Sequence, residues 1–598
     1  MEKTIVTLLT YRIGNSLGIG VYVIIGHIVK YDAGPSAVLS ILFAGVAAFL
    51  AGLCYAECSA RIPRTGSSYI YTYATLGELC AFVVGWGMIL ENMLGVAATA
   101  KAWSQYIDVF FNGSIHRYLD DNLRWTSAPI LSESPDLVAF GIVLLCTMVV
   151  FLGIKVSAVL SVTLSIFSGL IMICIICVGF FHVKHENWIE PPGFFPHGFT
   201  GVLSASATLY YGFIGFDSVA LLSEETKEPI KTIPTAIFVS LIICFLLYFG
   251  VTSAVTLACS WNKFSDDATI SKAYDVRGIH GALQVISVGG LLALTAALIA
   301  LLFALPRTIY AMGKDRLIFK CFGTTNYCTN VSVTSIVLPG IISAILSSIF
   351  KFNILIDVLS IGTLMASTTV VICVVCLRYQ PVHIGLYQEY EDPDDKFVQC
   401  TEFVYANFMT PQNTSRVNSE NQCKKSDVMK HPSTGYCNNS LETRPLKCQI
   451  PRGSTYQKMD SVISSTSAGS ISSLFQLPPE IVYEPSQTSW LTTSVALVTY
   501  LMSSVLLSLL TIFGGCYIIE GAWWAIFLLV LSVIILTSTM IIIFKQPQNQ
   551  TKLLFGTPYL PFVPLLALLM NIFMLSSLSS EAWIRFSIWI FLGNFLNL

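Results

Sequence analysis

The stretches Gly14-Asn15-Ser16-Leu17-Gly18-Ile19-Gly20 and Tyr211-Gly212-Phe213-Ile214-Gly215-Phe216-Asp217 decide how this chain is read. Each lies in a run apolar enough to cross a bilayer, yet each is punctured by glycine, which weakens a helix. Backbone N–H and C=O groups bared in hydrocarbon are costly and survive only where they line a cavity or are buried in protein. Interrupted helices at matching places in two halves of a chain point to the binding site of a secondary transporter. The pair therefore implies a solute pathway through a membrane. The competing reading is that the glycines merely let helices pack closely, as small-residue pairs do in bilayers.

The composition outside these stretches narrows the class. Of 598 residues, 54% are hydrophobic and only 11% charged, against roughly 25% charged residues in soluble domains; mean hydropathy is +0.70. A net charge of −2 offers no basic surface for nucleic acid. The 17 cysteines lie mostly singly in apolar runs, as at Cys54, Cys146, Cys174 and Cys177, where cysteine behaves as a small hydrophobe. Neither metal nor cofactor is expected, and no nucleophile–base constellation or phosphate loop suggests an enzyme. The first apolar run is too long and contains Arg12, unlike a cleavable signal peptide.

Apolar runs of about 20 residues recur often enough for about fourteen membrane helices, so the fold class is an all-α polytopic membrane protein. The spans fall near 5–29, 35–60, 78–102, 136–154, 156–182, 199–222, 234–259, 280–312, 332–350 and 354–377, then 488–513, 520–544, 557–577 and 582–598. With the N-terminus inside, the short cytoplasmic loops carry Arg61, Arg64, Lys227, Lys231, Arg307, Lys314 and Arg316 among others, a modest positive-inside bias. Asn112-Gly113-Ser114 then falls outside as a candidate glycosylation site; the sequons at Asn330, Asn413 and Asn438 fall inside. Between the tenth and eleventh spans, residues 380–487 are rich in Ser, Thr, Asn, Gln and Pro. That composition cannot offset the entropy of ordering and predicts a largely disordered cytoplasmic loop. The division is thus 1–379, 380–487 and 488–598.

Several ordered motifs resemble the cationic amino acid transporters of the amino acid–polyamine–organocation (APC) superfamily. They are Gly18-Ile19-Gly20-Val21-Tyr22-Val23, Ala51-Gly52-Leu53-Cys54-Tyr55-Ala56-Glu57, Arg61-Ile62-Pro63-Arg64-Thr65-Gly66-Ser67, Gly77-Glu78-Leu79, Ile214-Gly215-Phe216-Asp217, Pro306-Arg307-Thr308-Ile309-Tyr310 and Ser360-Ile361-Gly362-Thr363-Leu364. The resemblance covers the whole membrane part. It implies a 5+5 inverted-repeat core, with spans one and six broken at the midplane and four further helices. It also implies uptake of arginine, lysine and ornithine across the plasma membrane, with no heavy-chain subunit expected.

A split helix can hold an amino acid's two charged ends without charged side chains: N–H groups of one half meet the carboxylate, and carbonyls of the other meet the ammonium. Asn15 and Ser16 offer added polar contacts in the first span; the resemblance puts the carboxylate against the Ser16–Gly20 stretch, with Gly18, Ile19 and Gly20, and the ammonium near Phe213–Gly215. Tyr211 occupies the place where relatives have an aromatic that closes over substrate; its alternative is ordinary core packing. Glu78 matches a position important for transport and reads as structural or gating. Glu57 and Asp217 are expected to hydrogen-bond backbone near the broken helices. Arg307 and Lys314 read as cytoplasmic anchors.

The third span departs from the family, whose members tend to be uncharged where Glu91-Asn92 stands, about 20 Å along the helix from Glu78. A carboxylate at the bilayer centre costs roughly 2.5–3.5 kcal/mol and demands a partner. Two stay open: the cation of a basic substrate contacting Glu91 or Asn92, and an internal pair with Arg12. The fifth span carries Ser168 where proton-coupled bacterial relatives have a lysine, which predicts facilitated diffusion or exchange driven by membrane potential. The rival readings are a neutral or broad-specificity permease and a transport-inactive sensor.

Overall fold

The computed structural model describes residues 13–14, 16, 18, 20–111, 113–125, 130–189, 193–213, 215–223, 226, 228–263, 270–271, 274, 281–324, 333–381, 485–549 and 555–597. The expectations for Arg12, Asn15, Ile19, Asn112 and nearly all of the 380–487 loop lie outside them.

The apolar runs form helices. After a first segment come α1 (Ala37–Arg61), α2 (Ser68–Leu76), α3 (Glu78–Phe110), α4 (Ser114–Leu123), α5 (Leu137–Phe151) and α6 (Ile154–Phe181). The second part holds α7 (Gly198–Phe213), α8 (Phe216–Ala220), α9 (Pro229–Ala258), α10 (Ala282–Lys314), α11 (Val333–Ile349) and α12 (Phe352–Tyr379). The last part holds α13 (Gln487–Ile512), α14 (Trp523–Phe544), α15 (Phe562–Ser577) and α16 (Ser580–Asn597). Local chemistry sets several ends. Pro229 opens α9, where its missing N–H costs nothing. The Asp136 carboxylate accepts from the Ala139 N–H at 2.9 Å and caps α5.

Among the described residues, eight helices are long and apolar enough to cross a bilayer, while α5 and α11 are shorter. The pair α15 and α16, expected as two separate spans, meets at 104° across Leu578 and Ser579. α3 overruns its expected end at residue 102 by two turns. Its 33 residues span about 50 Å, more than the roughly 30 Å hydrocarbon core. The excess is covered by the following loop: Lys101 Nζ donates to Ser132 Oγ at 2.8 Å and Ser104 Oγ to Asp136 at 2.8 Å.

α3, α10 and α12 form the centre, enclosed on most sides, and α3 packs on both of the others. α6 and α14 leave most of their apolar surface outward; a helix apolar all round and uncovered by protein has lipid as its solvent. α13 and α15 sit against the core through α15, which touches α1, α7 and α12. There the Tyr210 and Ser367 hydroxyls share a 2.5 Å hydrogen bond, and Asn571 Nδ2 donates to Ser367 Oγ at 3.3 Å.

Candidate functional site

The sixth span breaks as its sequence foretold. α7 stops at Phe213 and α8 starts at Phe216, with Gly215 at φ +151° between them. That left-handed backbone is reserved for glycine. A helix C-terminus and a helix N-terminus thus face one another inside the protein, each with backbone groups outside the helical ladder.

The expected gap in the first segment falls on a stretch in which residues 15, 17 and 19 lie outside the described ones. Its described residues stay helical, but the turns widen into π-helix over Gly20–Ile25 and again over Ile28–Asp32. The glycines here serve close approach. A methyl on Gly212 would lie 2.9 Å from the Gly20 Cα, and one on Gly20 would lie 2.2 Å from the Tyr248 hydroxyl oxygen. A methyl on Gly18 would meet the Ala293 carbonyl oxygen at 2.5 Å. The two interrupted segments therefore cross at Gly20 and Gly212, and Gly18 seats the first against α10. π-Turns mark functional sites in many helices, so packing and deformation coexist in one stretch.

Tyr248 of α9, unmarked in the sequence, clamps the crossing. Its buried hydroxyl lies 2.5 Å from the Ser16 carbonyl oxygen and 2.7 Å from that of Gly212. One hydroxyl has one proton, so it can fully satisfy only one carbonyl at a time. Tyr248→Phe should cost about 1–3 kcal/mol, the penalty for leaving buried acceptors unmet, read as a lower thermal midpoint in detergent.

Next to the break, three of the expected residues come together. Tyr211 is buried with its hydroxyl over Gly95 of α3, where a methyl would approach it to 2.4 Å. One turn back on α3, the buried Glu91 Oε1 accepts from Thr363 Oγ1 of α12 at 2.6 Å. Asp217, in the first turn of α8, is buried and close enough to Glu91 for two carboxylates to repel. No basic side chain among the described residues pairs with Glu91. Gly95 and Thr363 escaped sequence reading because only the fold brings α3 and α12 to the α7–α8 break. Phe213 points its ring elsewhere, 4.9 Å from that of Tyr248.

Three expected placements change. Asn92 Nδ2 donates to the Met88 carbonyl at 2.8 Å, turned back on its own helix. Glu57 is distant from the broken helices in its bonding: it holds Arg61, Arg378 and the Thr557 N–H, at 2.8, 2.6 and 2.7 Å. Asp217 belongs to the break itself. Arg307 is no solvent-facing anchor. It is buried, donating to the Phe303 carbonyl at 2.7 Å, with its guanidinium 3.5 Å above the Phe303 ring. Lys314, by contrast, is exposed. Glu78 is exposed in the first turn of α3, where a carboxylate suits the helix dipole, and accepts from the Tyr73 hydroxyl at 3.0 Å. Ser168 is buried in α6, with its hydroxyl beside that of Tyr22.

A sequence profile described as amino acid permease matches residues 6–414, and one described as the C-terminus of such permeases matches 555–596. The chain is 32% identical over 591 residues to cationic amino acid transporter 4 of Mus musculus, covering 97% of this chain and 84% of that protein. It is 28% identical over 600 residues to "Cationic amino acid transporter 3, mitochondrial" of Arabidopsis thaliana, covering 98% and 88%. To "Cationic amino acid transporter 2, vacuolar" of the same plant it is 29% identical over 608 residues, covering 99% and 87%.

Proposed function

This chain belongs to the amino acid permease family and, within it, to the cationic amino acid transporters, and on that footing we propose that it carries arginine, lysine and ornithine across the plasma membrane. The observation that carries this reading is the buried pair of carboxylates, Glu91 and Asp217, flanking Tyr211 at the Gly215 break. Glu91 has no basic partner among the described residues, and a side-chain guanidinium or ammonium on the substrate offsets the cost of burying its carboxylate. The amino acid's own ends lie along the backbone of Ser16–Gly20 and Phe213–Gly215, and the Tyr211 ring covers them, an aromatic face suiting a cation.

Alternating access turns on the crossing of the two segments at Gly20 and Gly212, which tilt against α3, α10 and α12. Gly212→Ala would press a methyl onto the Gly20 backbone. The expected result is loss of most uptake with protein abundance in the membrane retained, measured by tracer flux against surface labelling.

Transport is facilitated diffusion or exchange. From Val156 to Phe181, Ser168 included, α6 has no acidic or basic side chain with which to couple a proton. Each positive charge gains about 2.3 kcal/mol per 100 mV, enough to accumulate a cation unaided. The N-terminus is cytoplasmic, in line with the basic residues of the short loops, and Asn112 is then an outward glycosylation site. No accessory subunit is needed.

The test is uptake of labelled arginine and leucine by vesicles reconstituted with the pure protein. Saturable arginine entry that rises with an inside-negative potential is expected. Saturable leucine entry without arginine entry would make the protein a neutral permease, and no flux of either would make it a sensor.

A further inference from the structure

A groove of about 1160 Å³ lies on the outside of the helix bundle, floored by α3 and walled by α11 and α16. It exceeds the roughly 300–1,000 Å³ of a small-molecule pocket, and its lining is almost wholly apolar, with Arg316 and Arg585 its only charged residues among the described ones. The floor runs from Phe82 to Leu94, about 18 Å of helix, close to the roughly 15 Å depth of one leaflet. The two indoles in it, Trp86 and Trp589, stack at 4.7 Å. Each gives its N–H to the other's backbone carbonyl at 3.0 Å. No indole donor is left over, so they turn only ring surface outward.

One end of this groove differs sharply. Arg316 stands there just beyond α10, exposed, in left-handed backbone at φ +61°. That backbone belongs to the C-terminal cap of α10, in which the Leu317 N–H returns to the Met312 carbonyl at 3.0 Å. Its guanidinium has no hydrogen bond or ion pair with a described residue. Lys314 and Lys320, both exposed, flank it in the chain. The one acid between them, Asp315, already accepts the Tyr69 hydroxyl at 2.7 Å. At the same groove, Arg585 is engaged by Glu581 at 2.5 Å.

We propose that this groove binds one anionic phospholipid, its acyl chains along α3 and its phosphate at Arg316. A hydrocarbon chain asks nothing of walls that offer no hydrogen bonds, and a cluster of cations beside a groove between membrane helices suits an acidic headgroup. A helix from a second copy would fill the apolar length but leave the cations at its end unused. The site is separate from the interior between α3, α8 and α12, so it stands whatever solute the protein carries.

The full-length protein, purified in mild detergent, would be exchanged into mixed micelles of phosphatidylglycerol and phosphatidylcholine and weighed by native mass spectrometry. The expected result is about one tightly held phosphatidylglycerol per chain, at least tenfold preferred over phosphatidylcholine. R316E/K320E should abolish that preference. Leu338→Trp, which fills the groove without touching the cations, should displace the lipid altogether. Equal retention of the two lipids by the unaltered protein, or retention unchanged in both variants, would overturn the proposal. So would a dimer cross-linked through cysteine placed at Leu338, which would give the groove to a second copy.

Discussion

Replacing Glu57 by glutamine should destabilise the folded protein by about 3–5 kcal/mol, the range for breaking a buried ion pair and leaving its partners uncompensated. The Glu57 side chain is fully buried, and those of Arg61 and Arg378 are 11% and 16% exposed. Its Oε1 accepts from Arg61 Nε and Nη2 at 3.1 and 2.8 Å and from Arg378 Nε at 2.6 Å. Its Oε2 accepts from Arg378 Nη2 at 3.3 Å and from the Thr557 N–H at 2.7 Å. Glutamine has one oxygen where five donors converge and turns an NH2 group against the rest, while two guanidiniums lose their counter-charge. Thermal unfolding followed by fluorescence-detected size exclusion would read the loss. Glu57→Asp, which keeps the charge but shortens the reach, should fall between. An unchanged midpoint for Glu57→Gln would mean that solvent or lipid headgroups neutralise the arginines.

Glu91→Gln should remove preference for basic substrates while leaving the fold intact. Glutamine keeps a carbonyl oxygen to accept from Thr363, so the contact between α3 and α12 survives. What disappears is the charge. A hydrogen bond to a charged group is worth roughly 1.5–3 kcal/mol, so arginine uptake should fall about 10–150-fold in kcat/KM. Leucine uptake should hold or rise. Equal losses for both amino acids would assign Glu91 to structure, and an unchanged arginine rate would remove it from the site.

Much of the architecture could be read from hydrophobic runs. The expected span 35–60 meets α1 at Ala37–Arg61, and 354–377 meets α12 at Phe352–Tyr379. The Gly215 break was legible because no other residue tolerates its backbone. The close approach at Gly18 and Gly20 was not legible, since glycine serves an open turn as readily as a close crossing, and only the fold brings Ala293 and Tyr248 against them. α2 and α4 escaped notice because they are short and carry no membrane-length apolar run. Arg307 was misread because a basic residue near a span's end usually reaches water, whereas this one stacks on a ring one turn back. The partnerships of Glu91 with Thr363 and of Glu57 with Arg378 and Thr557 join residues hundreds of positions apart. No local pattern announces them.

The hydroxyl–hydroxyl–amide chain from Tyr210 through Ser367 to Asn571 bears on how far this protein could be trimmed. Tyr210 is the immediate neighbour of Tyr211, and Asn571 is completely enclosed. Cutting the polypeptide after α12 would uncover Ser367 and deprive Tyr210, beside Tyr211, of its brace. The helices after α12 thus buttress α7 beside its break, and a protein truncated after α12 should fail as a carrier even where it inserts correctly.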